Sequence, residues 1–205
     1  MKHASPDEIR IAVRDSYGRI AANDQSGCGC GCGSETDGPT QLATAMGYAD
    51  TDLGDAPEGA NLGLGCGNPH AIASLEPGET VVDLGSGAGF DCFLAARKVG
   101  DSGSVIGVDM TPQMITKARA NARKAGAANV SFRLGEIEHV PVADNTADVI
   151  MSNCVINLSP EKEQVFSEAF RVLRSGGRLA VADVVASAPL PAAAKENLKA
   201  YTACV

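Results

Sequence analysis

Thr80-Val81-Val82-Asp83-Leu84-Gly85-Ser86-Gly87-Ala88-Gly89 reads as a strand, a tight turn and the start of a helix. The β-branched residues Thr80, Val81 and Val82 suit a pleated strand. The alternating glycines let the backbone turn sharply and pass close to a ligand with no Cβ in the way. A G-x-G-x-G loop alone is a weak signal, and two acids sharpen it. Asp83 ends this first strand, and Asp109 ends the next β-branched run, 20 residues after Gly89. A carboxylate at that distance can accept both hydroxyls of a ribose.

Outward from the loop, short β-branched runs alternate with helical segments, the pattern of βαβ units around a parallel sheet. Strands are predicted near 80–84, 104–109, 130–134, 147–152 and 178–185. The intervening helices run from Gly89 to Val99 and from two cap-proline pairs, Thr111-Pro112 and Ser159-Pro160. Gly100, Gly126 and Gly176 are expected to close them as left-handed residues. A last helix is expected from about Pro191 to Cys204. Upstream, Ser5-Pro6-Asp7-Glu8 forms a capping box, and Ile9, Val13, Tyr17 and Ile20 follow at near-helical spacing, so a first amphipathic helix is predicted over roughly 6–22. The fold class is α/β, a mostly parallel, doubly wound sheet with flanking helices. Three segments are expected: an N-terminal helix (1–26), a Cys/Gly-rich flexible arm and linker (27–60), and the α/β domain (61–205).

With 205 residues and 44% apolar content, the chain can fill one such core. Its formal charge of −8 provides no general footprint for nucleic acid or anionic lipid. Met1 to Arg10 lacks the apolar stretch of a signal peptide, and no apolar run approaches the ~18–20 residues of a membrane span. A cytoplasmic setting is expected.

The loop chemistry selects among nucleotide cofactors. Asp83, beside the loop, would repel a pyrophosphate but attract an amino group or sulfonium, which favours S-adenosylmethionine over NAD. Seven cysteines, at 28, 30, 32, 66, 92, 154 and 204, are an odd number in a chain with no export signal. A structural disulfide framework is therefore not expected; reactive thiols or soft-metal ligands are. Cys92, between Phe90 and Phe93, reads as core. Cys66 stands in a Gly-Cys-Gly turn, a poor place for a packing residue, and Cys154 follows a predicted strand where a doubly wound sheet presents its ligands. His70 and His139 stand in no partner pattern, and Glu138 reads as part of a solvated loop edge.

The glycine loop, Gly107-Val108-Asp109-Met110-Thr111-Pro112 and Phe170 to Arg178 resemble class I S-adenosylmethionine-dependent methyltransferases. Gly63-Leu64-Gly65-Cys66-Gly67-Asn68-Pro69, Gly135-Glu136-Ile137-Glu138, Ser152 to Leu158 and Tyr201-Thr202-Ala203-Cys204 narrow the resemblance to arsenite methyltransferases. It implies a Rossmann-like fold. It also implies a cofactor set of Asp83, Gly85, Ser86, Gly87, Gly89, Asp109 and Asn153, with Met110, Glu136 and Ile137 around the adenine. Cys66, Cys154 and Cys204 match the family's arsenic-binding thiols. A redox cysteine of the family falls among Cys28, Cys30 and Cys32, without a unique assignment. The implied substrate is a small molecule, arsenite as thiol adducts, and the implied partner is a reductant of the thioredoxin or glutathione type. Family chains continue past the equivalent of Val205, and no sequence for the usual closing edge hairpin is found. Two other functions fit the fold: methyl transfer to a small organic acceptor, and As(III) or soft-metal binding without turnover.

Overall fold

Five parallel strands, β1 (Thr80–Leu84), β2 (Ser104–Asp109), β3 (Val130–Leu134), β4 (Ala147–Asn153) and β5 (Leu173–Ala182), pair in the order β3-β2-β1-β4-β5. They come from a computed structural model that describes residues 4–23, 38–188, 197 and 201–202. Both faces of the sheet are covered, so the central strands carry apolar side chains toward both faces. Side chains alternate in direction along a strand. Val81, Val149 and Met151 accordingly enter one core with Phe93, Ile115 and Phe132, while Val82, Leu84 and Ile150 enter another with Val165, Ala169 and Val172.

The helices follow the local signals. In α1 (Pro6–Asn23), the Ser5 Oγ accepts the Glu8 N–H at 3.3 Å and the Glu8 carboxylate accepts the Ser5 N–H at 2.7 Å, the reciprocal cap expected. Helices α2 (Pro39–Ala45) and α3 (Asp50–Asp55) occupy part of the stretch expected to be a flexible linker, and the short α4 (His70–Ala73) follows. From Gly38 onward that linker is folded: Ala43 and Tyr48 are buried against Leu94. Helices α5 (Phe90–Val99) and α6 (Pro112–Ala125) supply Phe93 and Ile115 to the first core, and α7 (Lys162–Val172) supplies Val165 and Ala169 to the second. Gly126 closes α6 in the left-handed conformation, whereas Gly100 closes α5 at φ 68° with an extended ψ of −172°.

Two boundaries differ from expectation. Helix α7 begins at Lys162 rather than Pro160, because a 3₁₀ turn over Ile156–Leu158 comes first and the Ser159 hydroxyl accepts the Glu161 N–H at 3.1 Å. Gly176 closes no helix. The chain leaves α7 in an extended conformation at Leu173 and enters β5 directly, five residues ahead of the predicted start at 178. Leu173 pairs with Ala147 and Arg178 with Val149, so residues 174–177 bulge opposite Asp148 alone, and Gly176 turns that bulge at φ 82°. The helix expected over 191–204 lies largely outside the described residues, although Tyr201 and Thr202 are helical. Among the described residues, no helix is long and apolar enough to cross a membrane.

Gly89, one of the glycines expected to touch cofactor, is also required by packing. It caps α5 at φ 98°, and a Cβ there would fall 2.7 Å from the rings of Phe93 and Phe132, which meet edge-on beneath it. Gly89→Ala should therefore cost more than the roughly 1 kcal/mol of a strained backbone alone, about 2–4 kcal/mol in all. Gly47→Ala, at a comparable φ of 90° with no atom within 4 Å of the added methyl, should show only the strain. Urea denaturation of the two variants measures the difference, and equal losses would mean that the Phe93–Phe132 pair yields freely.

Candidate active site

The strand order reverses across β1 and β4, so the loops leaving their carboxyl ends part toward opposite faces and open a crevice between them. Its floor is the glycine loop. The Gly85 and Ser86 N–H groups bond to the Val108 carbonyl at 2.8 and 3.0 Å, and Asn121 of α6 reaches the Ala88 carbonyl at 3.1 Å. The loop is thus fixed from below before any ligand arrives.

Asp109 locks the next wall. One carboxylate oxygen accepts the Gly87 N–H at 3.0 Å and the other the Thr111 N–H at 2.8 Å. The Thr111 side chain adds a further hydrogen bond, and with about four lone-pair sites the carboxylate still has room for a hydroxyl from the crevice. Burial pushes the Asp109 carboxyl above its usual range, against the pull of these two N–H donors. Asp83, 2% exposed, is pushed well above its range by burial and then by the charge of Asp91, and it accepts a hydrogen bond from the Cys92 thiol at 3.2 Å. Cys92 is fully buried, as expected of a core residue, and its thiol is also pushed up by burial.

The lining includes Asp83, Gly85, Ser86, Gly87, Asp109, Met110, Ile137 and Asn153 of the expected cofactor set. The Ser86 hydroxyl is buried with no hydrogen-bond partner among the described residues. A buried hydroxyl facing a crevice in that state fits a polar ligand that would complete it. Glu136 does not line the crevice. It turns outward to Arg14 at 3.0 Å and to the Arg10 Nε at 3.7 Å, both on α1. Glu138, two residues on, takes the inward place expected of Glu136. It is 3% exposed and accepts hydrogen bonds from the Ser159 hydroxyl at 2.6 Å and from Arg10 at 3.4 Å. Arg10 also pairs with Glu161. These pairs draw α1 over the crevice, where Arg10, Val13 and Tyr17 form its upper wall.

Cys66 and Cys154, 88 residues apart, meet at the crevice with their Cα atoms 5.6 Å apart, and their sulfurs are joined as a disulfide. Among the described residues this bridge joins two of the cysteines expected to be reactive thiols. Two thiols placed to share one soft ion are also placed to oxidise to one another. Cys154 leaves β4 in a left-handed conformation (φ 57°), with its N–H on the Ala182 carbonyl at 2.8 Å. The glycines flanking Cys66 permit close approach: a Cβ on Gly65 would lie 2.7 Å from the Asn153 amide, and one on Gly67 would lie 2.8 Å from Ala182. Cys28, Cys30, Cys32 and Cys204 lie outside the described residues.

A polar cluster that no sequence pattern announced stands behind the cysteines. Asp91 of α5 accepts the Tyr48 hydroxyl at 2.6 Å and the Asn153 amide at 3.1 Å, and its carboxylate lies 3.2 Å from the Nε2 of buried His70. Burial opposes charge on Asp91, but His70, Tyr48 and Asn153 outweigh it and hold the carboxyl below its usual range. Burial, followed by the charge of Asp91, pushes the Tyr48 hydroxyl up.

A methyltransferase-domain family profile matches residues 75–205. The arsenite methyltransferase of Halobacterium salinarum is 52% identical over 98% of this chain and 53% of its own length. That of Aquipseudomonas alcaligenes is 38% identical over 95% of this chain and 56% of its own. The chain thus spans about half the length of the curated relatives it matches. Among solved structures, CrArsM, an arsenic(III) S-adenosylmethionine methyltransferase from Chlamydomonas reinhardtii, aligns with a TM-score of 0.59 at 38% identity, over 75% of this chain and 52% of that one. Sheet order, crevice and matched residues agree: the chain belongs to the methyltransferase-domain family, with its Rossmann-like class I fold.

Proposed function

We propose that this chain carries the S-adenosylmethionine site and a substrate thiol pair of an arsenite methyltransferase. The observation that supports this most is the meeting of Cys66 and Cys154, from distant parts of the sequence, beside a crevice lined by Asp83 and Asp109. Methyl transfer to a small organic acceptor would give the paired sulfurs no task. The names of the relatives from Halobacterium and Aquipseudomonas point the same way.

The cofactor would supply an electrophilic methyl on a sulfonium. Asp109 would hold the ribose hydroxyls, Asp83 would face the cationic end, Met110 and Ile137 would flank the adenine, and the Ser86 hydroxyl would gain a partner. Trivalent arsenic is soft and prefers thiolate sulfur, so the reduced Cys66–Cys154 pair would fix the substrate by two As–S bonds. The arsenic lone pair would then face the methyl carbon, whose bond to the sulfonium breaks as the thioether leaves with that electron pair, so no general base would be needed. The protein's contribution is orientation. In the disulfide form the pair has no thiolate to offer. A thiol reductant of the thioredoxin or glutathione type would return it: two reductant thiols become a disulfide as the Cys66–Cys154 bond opens to two thiols. That cycle suits the reducing cytoplasm.

Three outcomes test this. Asp109→Ala should weaken S-adenosylhomocysteine binding by about 1–3 kcal/mol in calorimetric titration; unchanged affinity would remove Asp109 from the site. In reduced protein, Cys154→Ser should weaken As(III) binding by the chelate gain of about 10²–10⁴. Cys92→Ser should lower stability and leave As(III) affinity alone, and equilibrium dialysis with arsenite separates the two.

The third outcome concerns pH. A carboxyl whose folded pKa is raised contributes stability that is fully present below its unfolded pKa and lost as pH rises through the folded value. By neutral pH Asp83 therefore lowers the stability of the ligand-free fold. Asp83→Asn should raise the melting temperature at about pH 7.5, with the gain shrinking toward about pH 4–5 where the wild type is itself protonated. The same variant should bind S-adenosylhomocysteine more weakly. A melting temperature that falls at all pH values would contradict the role assigned to this carboxyl.

A further inference from the structure

We infer that Asn153 is a positioning residue for the thiol pair: its carboxamide pins the Cys66 loop to the end of β4, the strand that delivers Cys154. Asn153 was expected to bind cofactor, and it lines the crevice, but its amide hydrogens are engaged within the protein. The side-chain oxygen accepts the Cys66 N–H at 3.1 Å. The amide nitrogen faces three acceptors: the Gly67 carbonyl at 2.9 Å, the Asp91 carboxylate at 3.1 Å and the Tyr48 hydroxyl at 3.1 Å. With only two hydrogens to give, the nitrogen is saturated. One side chain thus holds both sides of Cys66, at its own N–H and at the carbonyl of Gly67.

The surrounding residues are arranged to make this possible. A side chain at position 65 would overlap the Asn153 amide, so glycine there admits the contact. Asp91 and Tyr48 hold the carboxamide from behind, and Asp91 is itself steadied by His70. Asn153 and Cys154 are consecutive. The residue that carries one thiol into the crevice is therefore adjacent to the residue that fixes the loop carrying the other, and the sulfur-to-sulfur spacing follows from two short connections. Without the carboxamide, the loop from Gly65 to Gly67 loses its two anchors on β4, and Cys66 samples positions away from Cys154.

The inference rests on the proposed role of the pair, but its test requires neither arsenite nor cofactor. Purified full-length chain is equilibrated with mixtures of reduced and oxidised dithiothreitol, quenched and alkylated. Mass spectrometry of the peptides then measures the fraction of Cys66 linked to Cys154. Closing the disulfide gives two electrons and two protons to the oxidised reagent, so the equilibrium constant reports how closely the fold holds the two thiols together. Asn153→Ala should lower that constant by about 10- to 100-fold, which is about 30–60 mV at two electrons.

Asn153→Asp keeps the acceptor for the Cys66 N–H but turns a carboxylate oxygen toward Asp91 and the Gly67 carbonyl, and it should lower the constant at least as far as alanine. It also provides the measurement should the alanine variant fail to fold. Val165→Ala, a cavity in the opposite core, should lower stability and leave the constant unchanged, separating positioning from general loosening. A constant within about twofold of wild type in both Asn153 variants would overturn the inference, whatever became of arsenite binding. A fall in Val165→Ala equal to that in Asn153→Ala would do the same.

Discussion

The molecule is organised by the parting of the chain at the carboxyl ends of β1 and β4. These adjacent parallel strands send their next helices to opposite faces of the sheet, α5 into one core and α7 into the other. Neither connecting loop can cover the gap between them, and every group of chemical interest emerges there. Asp83 and the glycine loop come from one strand end, and Asn153 and Cys154 come from the other. The remaining walls are recruited: Asp109 from the neighbouring strand, Cys66 from the segment before the sheet, and α1 through its arginines.

Assembling the site in this way places acids together where water is scarce. Asp83 and Asp91 are buried and Asp109 half-buried near the crevice, and each meets the desolvation cost differently. Asp91 is satisfied within the protein by Tyr48, His70 and Asn153, and it stays ionised. Asp109 has two backbone donors, which do not fully offset burial. Asp83 has only a thiol. The least satisfied carboxylates are the two expected to meet ligand, and the fully satisfied one serves the framework. A site that would bind a cation and a diol has to leave such groups wanting, so part of the stability of the empty protein is given up for affinity.

The parallel sheet and the places of Asp83 and Asp109 beside the crevice were legible in the sequence because strand, turn and helix lie in one contiguous run, whose spacing carries the geometry. Cys66 and Cys154 were legible through chemistry and resemblance, although nothing in the sequence stated that they pair. The exchange of Glu136 for Glu138 was not legible. The segment turns after β3, with the His139 N–H on the Glu136 carbonyl at 3.1 Å, so a shift of two positions decides which acid faces inward. Helices α2 and α3 are too short to show a period, and the glycines around them imitate a linker. Tyr48, His70, Asp91 and Asn153 come from four separate segments with no shared motif; only tertiary packing brings them to one point.

The same proximity gives the thiol pair two possible fates. A rigid loop that keeps Cys66 beside Cys154 favours chelation of a soft ion, because little ordering remains to be done when the second sulfur binds. It favours the disulfide for the same reason, since ring closure gains from the same high effective concentration. Holding the loop more loosely would protect the thiols from oxidation but would also weaken the chelate. On the function proposed, a fold that positions the pair firmly would need an external thiol reductant to keep it in use, and that need would follow from the same geometry that would make the pair a good trap.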